Sequence, residues 1–236
     1  MKLIMLNMKF LNREDVLNIF TDASILKYND VETYIGSYGF HDPKNDITFC
    51  ELDRYSTNNR SELKGVISAL EYAIKVRDKY NYINLFIDSM LCVETINNWI
   101  YGWIRNSIDG VLYSASGEPV KNQDLIIYII RLIADNRLNV NVFHIKGHVY
   151  NEGAIYSKAL PLFSKTNKIQ TDAVTIKFLC ECNNIIDEAT RALLSMDIKF
   201  TPYTTNPIDY KLYGMNFKEY SKLVNKEAIK NASIYY

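Results

Sequence analysis

Four carboxylates and one histidine, carried on five separate stretches of the chain, are the residues whose types and surroundings could do chemistry. Asp22 stands in Ile19-Phe20-Thr21-Asp22-Ala23-Ser24, Glu62 in Thr57-Asn58-Asn59-Arg60-Ser61-Glu62-Leu63, and Asp88 in Leu85-Phe86-Ile87-Asp88-Ser89. His148 follows Ile145-Lys146-Gly147, and Asp187 lies in Asn183-Asn184-Ile185-Ile186-Asp187-Glu188-Ala189. Asp22 and Asp88 sit where an apolar run ends, and Glu62 and Asp187 fall in the opening turn of an expected helix. A carboxylate beside apolar strands costs free energy unless something neutralises it, so several converging on one point imply bound cations. Hard oxygen donors without a histidine or cysteine cage favour magnesium or manganese over zinc. Taken singly, each acid would read as a helix cap or a solvated charge, and His148 as a structural histidine. Their joint occurrence carries the argument.

The elements that must position these residues follow from the hydrophobic periods. Val16 to Thr21 reads as a buried strand, followed by strands over about 32–40 and 46–52 in meander order. From Arg60 the period becomes helical: Leu63, Val66, Ile67, Leu70, Ala73 and Ile74 recur at three- and four-residue steps, with Asn58 or Asn59 as the cap. Ile83 to Ile87 and Val140 to Ile145 are further apolar runs, each separated from the previous strand by helical sequence. Three strands and then alternating helix and strand predict an α/β fold, a mixed five-stranded sheet flanked by helices.

At these residues the chain resembles the type 1 ribonuclease H family. Thr21-Asp22-Ala23-Ser24, Thr57-Asn58-Asn59-Arg60-Ser61-Glu62-Leu63, Asp88-Ser89, Trp99-Ile100-Tyr101-Gly102-Trp103, Pro119-Val120-Lys121-Asn122-Gln123-Asp124-Leu125 and Lys146-Gly147-His148 occur in the family's order. Short motifs recur by chance, but six in sequence are specific. The resemblance implies the ribonuclease H-like fold, in which the first and fourth strands are neighbours and bring Asp22 to Asp88. It departs in one place. Relatives carry the last carboxylate about ten residues after the histidine, on a helix beginning Asn-Glu-x-x-Asp, whereas position 158 here is Lys. The nearest match is Asn183 to Thr190, which implies an insertion over about 151–180 with apolar segments at Ile155 to Phe163 and Val174 to Leu179. Asp187 keeps the spacing from Asn183, and Asp172 is its rival.

By this resemblance Asp22, Glu62, Asp88 and Asp187 would hold two magnesium ions, with manganese as a substitute, about 3.5 to 4 Å apart around a scissile phosphate. The reaction implied is endonucleolytic hydrolysis of the RNA strand of an RNA/DNA hybrid, leaving 5′-phosphate and 3′-hydroxyl ends. His148 would shuttle protons or help expel product. Asn59 is placed to read the 2′-hydroxyl in the shallow minor groove, and Trp103, Lys121 and Asn122 to grip the DNA strand. Only Arg105 and Lys121 supply charge between Trp99 and Gln123, so that grip should be modest. Trp99 is either part of it or core at helical spacing with Ile96.

Composition bounds the rest. Lys plus Arg equals Asp plus Glu at 27 each, so contact with a polyanion needs a local basic patch. Cys50, Cys92, Cys180 and Cys182 fit free thiols in a reducing compartment, and a zinc site at Cys180 and Cys182 is the alternative. No apolar run approaches membrane-spanning length, and the opening residues lack a signal-peptide core, so a cytoplasmic protein is expected. At 236 residues the chain divides into a catalytic domain over 1–196 and a linker plus helical tail over 197–236, where Lys218, Lys222, Lys226 and Lys230 form a basic stripe. The stripe is either a solvated face or a phosphate contact. Replication proteins are the implied partners. A DNA nuclease or strand-transfer relative of the same fold, or an inactive hybrid-binding or assembly module, are the alternative functions.

Overall fold

The computed structural model describes residues 5–27, 34–53, 56–149 and 153–197. In chain order its elements are β1 (Met5–Leu6), α1 (Met8–Leu11), β2 (Val16–Lys27), β3 (Tyr34–Asp42), β4 (Ile47–Asp53), α2 (Asn58–Val76) and β5 (Tyr82–Ile87). There follow α3 (Met90–Glu94), α4 (Ile100–Arg105), α5 (Gln123–Asp135), β6 (Val140–His144), α6 (Gly153–Asn167), β7 (Gln170–Thr171) and α7 (Ala173–Asp197). Five strands form one mixed sheet in the order β4-β3-β2-β5-β6. β2 to β4 are an antiparallel meander, and β5 and β6 join parallel to β2. The expected α/β architecture is the one that forms.

Period-two alternation separates two cores across this sheet. Leu17, Ile19, Ile83, Leu85 and Ile87 face α2 and α5, meeting Leu63, Val66, Leu70, Ile126 and Ile130. The opposite face carries Phe20, Phe86 and Phe143, covered by Leu11 of α1, Phe163 of α6, and Ile176, Leu179 and Ile186 of α7. These three rings occupy matched positions on β2, β5 and β6, with centroids 4.8 and 5.2 Å apart. Two residues earlier on the same face, Asn141 donates to Asn84, and Asn84 to Asn18, at 2.9 Å each. Slipping one strand by a single residue would break both rows, so the register is specified twice.

β2 runs six residues past the expected end at Thr21. Its parallel pairing with β5 does stop at Thr21 opposite Ile87, but antiparallel pairing with β3 continues from Asp22 opposite Gly39 to Lys27 opposite Tyr34. Asp22 therefore sits inside a strand, at the point where one neighbour leaves. The cap of α2 is Thr57, whose side chain accepts from Arg60 N at 3.4 Å, rather than Asn58 or Asn59. Glu62 consequently lies one residue beyond the first turn, where the helix dipole is weaker. Trp99 ends a π-helical segment, Thr95–Trp99, with 43% of its surface exposed while Ile96 is buried. The core reading of Trp99 fails for that reason.

The expected helix start at Asn183 is also replaced. α7 begins at Ala173, where Asp172 Oδ1 accepts from Thr175 N at 2.8 Å as a capping side chain does, and it passes through Asn183 without a break. The buried residues Ile176, Leu179, Cys180, Asn183, Ile186, Asp187, Thr190 and Leu194 follow helical spacing along one face. Asn183, which resembled a start, is a polar member of a continuous buried stripe, and Asn184 beside it is half-buried. Cys180 and Cys182 are packed in the second core. The parallel pair β1–β7 ties the N-terminal strand to the start of α7, with Met5 opposite Gln170 and Leu6 opposite Thr171. The tail and its lysine stripe lie outside the described residues. No helix among the described residues is long and apolar enough to cross a membrane.

Candidate metal centre

Asp22, on β2, is 3% exposed, and its Oδ1 accepts from Ala23 N at 2.7 Å. α2 crosses the sheet directly behind it. A Cβ added at Gly65 would lie 3.3 Å from the Asp22 carbonyl oxygen and 3.4 Å from that of Gly39, so glycine lets the helix close to this distance. One turn earlier on α2, Glu62 reaches the same place and is 7% exposed. The start of α2 is tied to α5 by Arg60, which donates to both oxygens of Asp124 at 3.0 and 2.7 Å and to Asn122 Oδ1 at 3.3 Å. Asp88 immediately follows β5, beside the end of the β2–β5 pairing.

Asp22, Glu62 and Asp88 each offer an oxygen, and these three atoms lie within 4.8 Å of one another. Burial is the main reason their carboxyls are harder to ionise, and their mutual repulsion adds to it. Asp22 is raised to about 9 by burial, then by Asp88 and Asp187. Glu62 is raised by burial, then by Asp88 and Asp22. Asp88 is raised to about 6, chiefly by burial, with His148 opposing the shift. Asp22 Oδ2, Glu62 Oε2 and Asp88 Oδ1 are buried without a hydrogen-bond partner among the described residues. Three inaccessible carboxyl oxygens without donors, on residues that cluster this closely, fit an oxygen-seeking divalent cation, which would favour their ionised forms.

Asp187 comes to this cluster from α7 and is 2% exposed. Its carboxyl is raised by burial, with His148 opposing. The helix is pinned one turn beyond it. Ser37 Oγ donates to the Thr190 carbonyl at 2.7 Å, the Ser24 and Thr190 hydroxyls lie 3.0 Å apart, and Thr190 Oγ1 donates back to the Asp187 carbonyl at 3.0 Å. Asp172 is occupied as the cap of α7.

His148 is exposed, with a left-handed backbone at φ 54°, and its Nδ1 lies 3.2 Å from Asp187 Oδ2. Its loop is held by Asn184 Nδ2 on the Val149 carbonyl at 2.5 Å. Gly147 presses on Asp88, where a Cβ would stand 2.4 Å from Oδ2. The structure thus brings Asp22, Glu62, Asp88, Asp187 and His148 together. Asn59 is exposed in the first turn of α2, one turn before Glu62, and Asn122 precedes α5 with φ 56° beside Arg60. Trp103 lies on α4, its ring centroid 5.8 Å from that of Trp99. Lys121 is exposed in the segment leading to α5. Sequence reasoning missed Arg191, whose Nε donates to Asp187 Oδ1 at 2.7 Å and whose Nη2 meets Asp187 Oδ2 and His148 Nδ1. The available signal was its position four residues after an acid on a helix.

The sequence model describing RNase H matches residues 14–156. The chain belongs to the RNase H family. It is 30% identical over 149 residues to ribonuclease H of Rickettsia akari, covering 63% of this chain and 82% of that protein. It is 33% identical over 132 residues to ribonuclease HI of Haemophilus influenzae, covering 56% and 78%. Among solved structures it shares its fold with LC9-RNase H1, described as a type 1 RNase H with the type 2 active-site motif. The TM-score is 0.51 at 16% identity, over 94% of this chain and 87% of that one. The RNase H sequence match takes in Asp22, Glu62, Asp88 and His148 and ends before α7, where the departure from the RNase H pattern was read.

Proposed function

We propose that this chain is a metal-dependent ribonuclease that hydrolyses the RNA strand of RNA/DNA hybrids and leaves 5′-phosphate and 3′-hydroxyl ends. The observation that carries this reading is the cluster of Asp22, Glu62 and Asp88, each offering an oxygen within 4.8 Å of the others and each keeping a buried oxygen with no hydrogen-bond partner among the described residues. Asp22, Glu62, Asp88 and Asp187 would hold two magnesium ions, or manganese in their place. Such ions, when bound, supply a hydroxide nucleophile and stabilise the leaving oxygen.

The remaining work falls to the chain's own groups. Asp22, which feels the charges of both Asp88 and Asp187, would be a ligand common to the two ions. His148 is exposed on its loop, close to Asp187, where it can carry a proton to the leaving 3′ oxygen and help product depart. Asn59, exposed one turn from Glu62, reads the 2′-hydroxyl that separates RNA from DNA. Trp103, Lys121 and Asn122 hold the DNA strand by stacking and phosphate contact. Residues 1–196 form the catalytic domain, which acts inside the cell alongside replication proteins.

The test is incubation of the purified chain with magnesium and a labelled RNA/DNA hybrid, beside duplex DNA, single-stranded RNA and an Asp88→Asn variant. Cleavage restricted to the hybrid and lost in Asp88→Asn is expected. Preferential cleavage of duplex DNA would make the chain a DNA nuclease of this fold. Metal-independent hybrid binding without cleavage would make it a binding module.

A further inference from the structure

The four acids of the site are not equivalent. Asp22, Glu62 and Asp88 each keep a buried oxygen with no hydrogen-bond partner among the described residues. Asp187 has both oxygens engaged by a single guanidinium, Nε on Oδ1 at 2.7 Å and Nη2 on Oδ2, and its Oδ2 also faces His148 Nδ1. This two-pronged pairing is the strongest geometry an arginine can offer a carboxylate. Arg191 leaves from the same helix four residues on, so the pairing requires no rearrangement of α7. Its side chain is 47% exposed, whereas Asp187 is 2% exposed. The arginine therefore has solvent to swing into, and the carboxylate has nowhere to go. The Arg191 charge also reaches Asp22, where it favours the ionised form.

We propose that Arg191 is an internal counter-cation that holds Asp187 until a second divalent ion displaces it, and so sets the concentration at which that second ion binds. The inference rests on the two-ion reading of the site given above and concerns a positioning residue. The first ion meets three oxygens that no described residue satisfies, and it displaces protons rather than a side chain. The second ion, which needs Asp187, must break a charge-assisted fork and return the guanidinium to water. It also loses the neutralisation that Arg191 gives the cluster. Truncating an arginine ordinarily weakens a charged site, but here it should strengthen one. A role confined to supporting the fold would not produce that sign.

The experiment is a manganese titration of the full chain without substrate, with free ion counted by electron paramagnetic resonance. It compares the unmodified chain with Arg191→Met, Arg191→Lys and Asp187→Asn. Two unequal sites are expected in the unmodified chain. In Arg191→Met the weaker site should tighten at least tenfold, and the tighter site should move less than threefold. Arg191→Lys, a point charge that cannot fork, should give an intermediate shift. Asp187→Asn should remove the weaker site. A weaker site that is unchanged or loosened in folded Arg191→Met overturns the proposal, as does one that survives Asp187→Asn. Because the readout needs no hybrid, failure to cleave hybrid would sink the proposed activity while leaving this inference standing, and the reverse holds for an unshifted titration.

Discussion

Gly147 offers the sharpest single-atom test of the site. Its backbone φ is not in the left-handed region, since only Gly110 and Gly117 among the described glycines have positive φ. Alanine is therefore permitted by the backbone, and its effect comes from contact alone. The added Cβ would lie 2.4 Å from Asp88 Oδ2, 3.2 Å from Cγ and 3.3 Å from Cβ, against an ordinary contact of 3.4 Å or more. Something must move by about 1 Å. Asp88 is hemmed in by Glu62, Asp22 and the end of β5, so either its carboxylate leaves the cluster or the histidine loop lifts off it. A misplacement of about 1 Å at a reacting centre costs on the order of a hundredfold in rate. Gly147→Ala should therefore lose about a hundredfold in hybrid cleavage at saturating magnesium, with a change in melting temperature of only a few degrees. Gly102→Ala is the control. It lies in α4 with nothing within 4 Å of its Cβ, so it should keep full activity and gain up to about 1 kcal/mol from helix propensity. A Gly147→Ala enzyme retaining activity within threefold would show that the approach of the loop to Asp88 does not govern the chemistry.

Two further outcomes follow from the same geometry. The carboxyls of Asp22, raised to about 9, and Asp88, raised to about 6, with Glu62 raised as well, keep protons in the folded chain that the unfolded chain releases near its ordinary value of about 4. The folded state thus binds more protons between about pH 4 and 9, and linkage makes metal-free stability fall as pH rises through that window. Melting in EDTA should show this downward slope. Magnesium should flatten it, and so, in part, should Asp22→Asn; a slope that is level or rising in EDTA would contradict the assignment. Thr190→Val keeps the side-chain shape but removes the hydroxyl between Ser24 and the Asp187 carbonyl. It should cost about 1–2 kcal/mol in denaturant unfolding and raise the magnesium needed for half-maximal cleavage severalfold, whereas Thr190→Ser should restore both.

Most of the sheet was legible because β2, β5 and β6 are apolar runs and helical sequence precedes each of the last two. The neighbours that bring Asp22 to Asp88 were implied by the resemblance to the ribonuclease H family rather than by the order of those runs. Other features were hidden for definite reasons. The length of β2 depends on which partner stays beside it after Thr21, and no local pattern encodes that. Thr57 and the two asparagines after it are all good caps, so composition alone does not choose among them. Asn183-Asn184 looked like a helix start because asparagine favours caps, yet Asn183 is fully buried in mid-helix. The polar residues Asn183, Asp187 and Thr190 occupy a stripe that a hydrophobicity pattern expects to be apolar. Arg191 was overlooked because an arginine four residues after an acid on a helix is as often a solvated surface pair as a partner in a buried site.

That buried stripe also explains how a displaced carboxylate can still arrive at the same point. From Ala173 to Asp187 the helix rises about 21 Å at the standard pitch, so about four turns separate the start of α7 from the acid it carries. At the far end, the capping Asp172, the β1–β7 pair and the packing of Leu6, Leu11, Phe163 and Ile169 absorb the additional chain. At the near end, Ser24 and Ser37 fix Thr190 to the strands that carry and flank Asp22. The extra residues extend the helix away from the centre, and the position of Asp187 is set by contacts on β2 and β3 that the insertion does not touch. His148 is the exception, because its loop opens directly into the inserted segment. Asn184, also on α7, reaches back to the Val149 carbonyl, so the helix that delivers the fourth carboxylate also holds the histidine beside it.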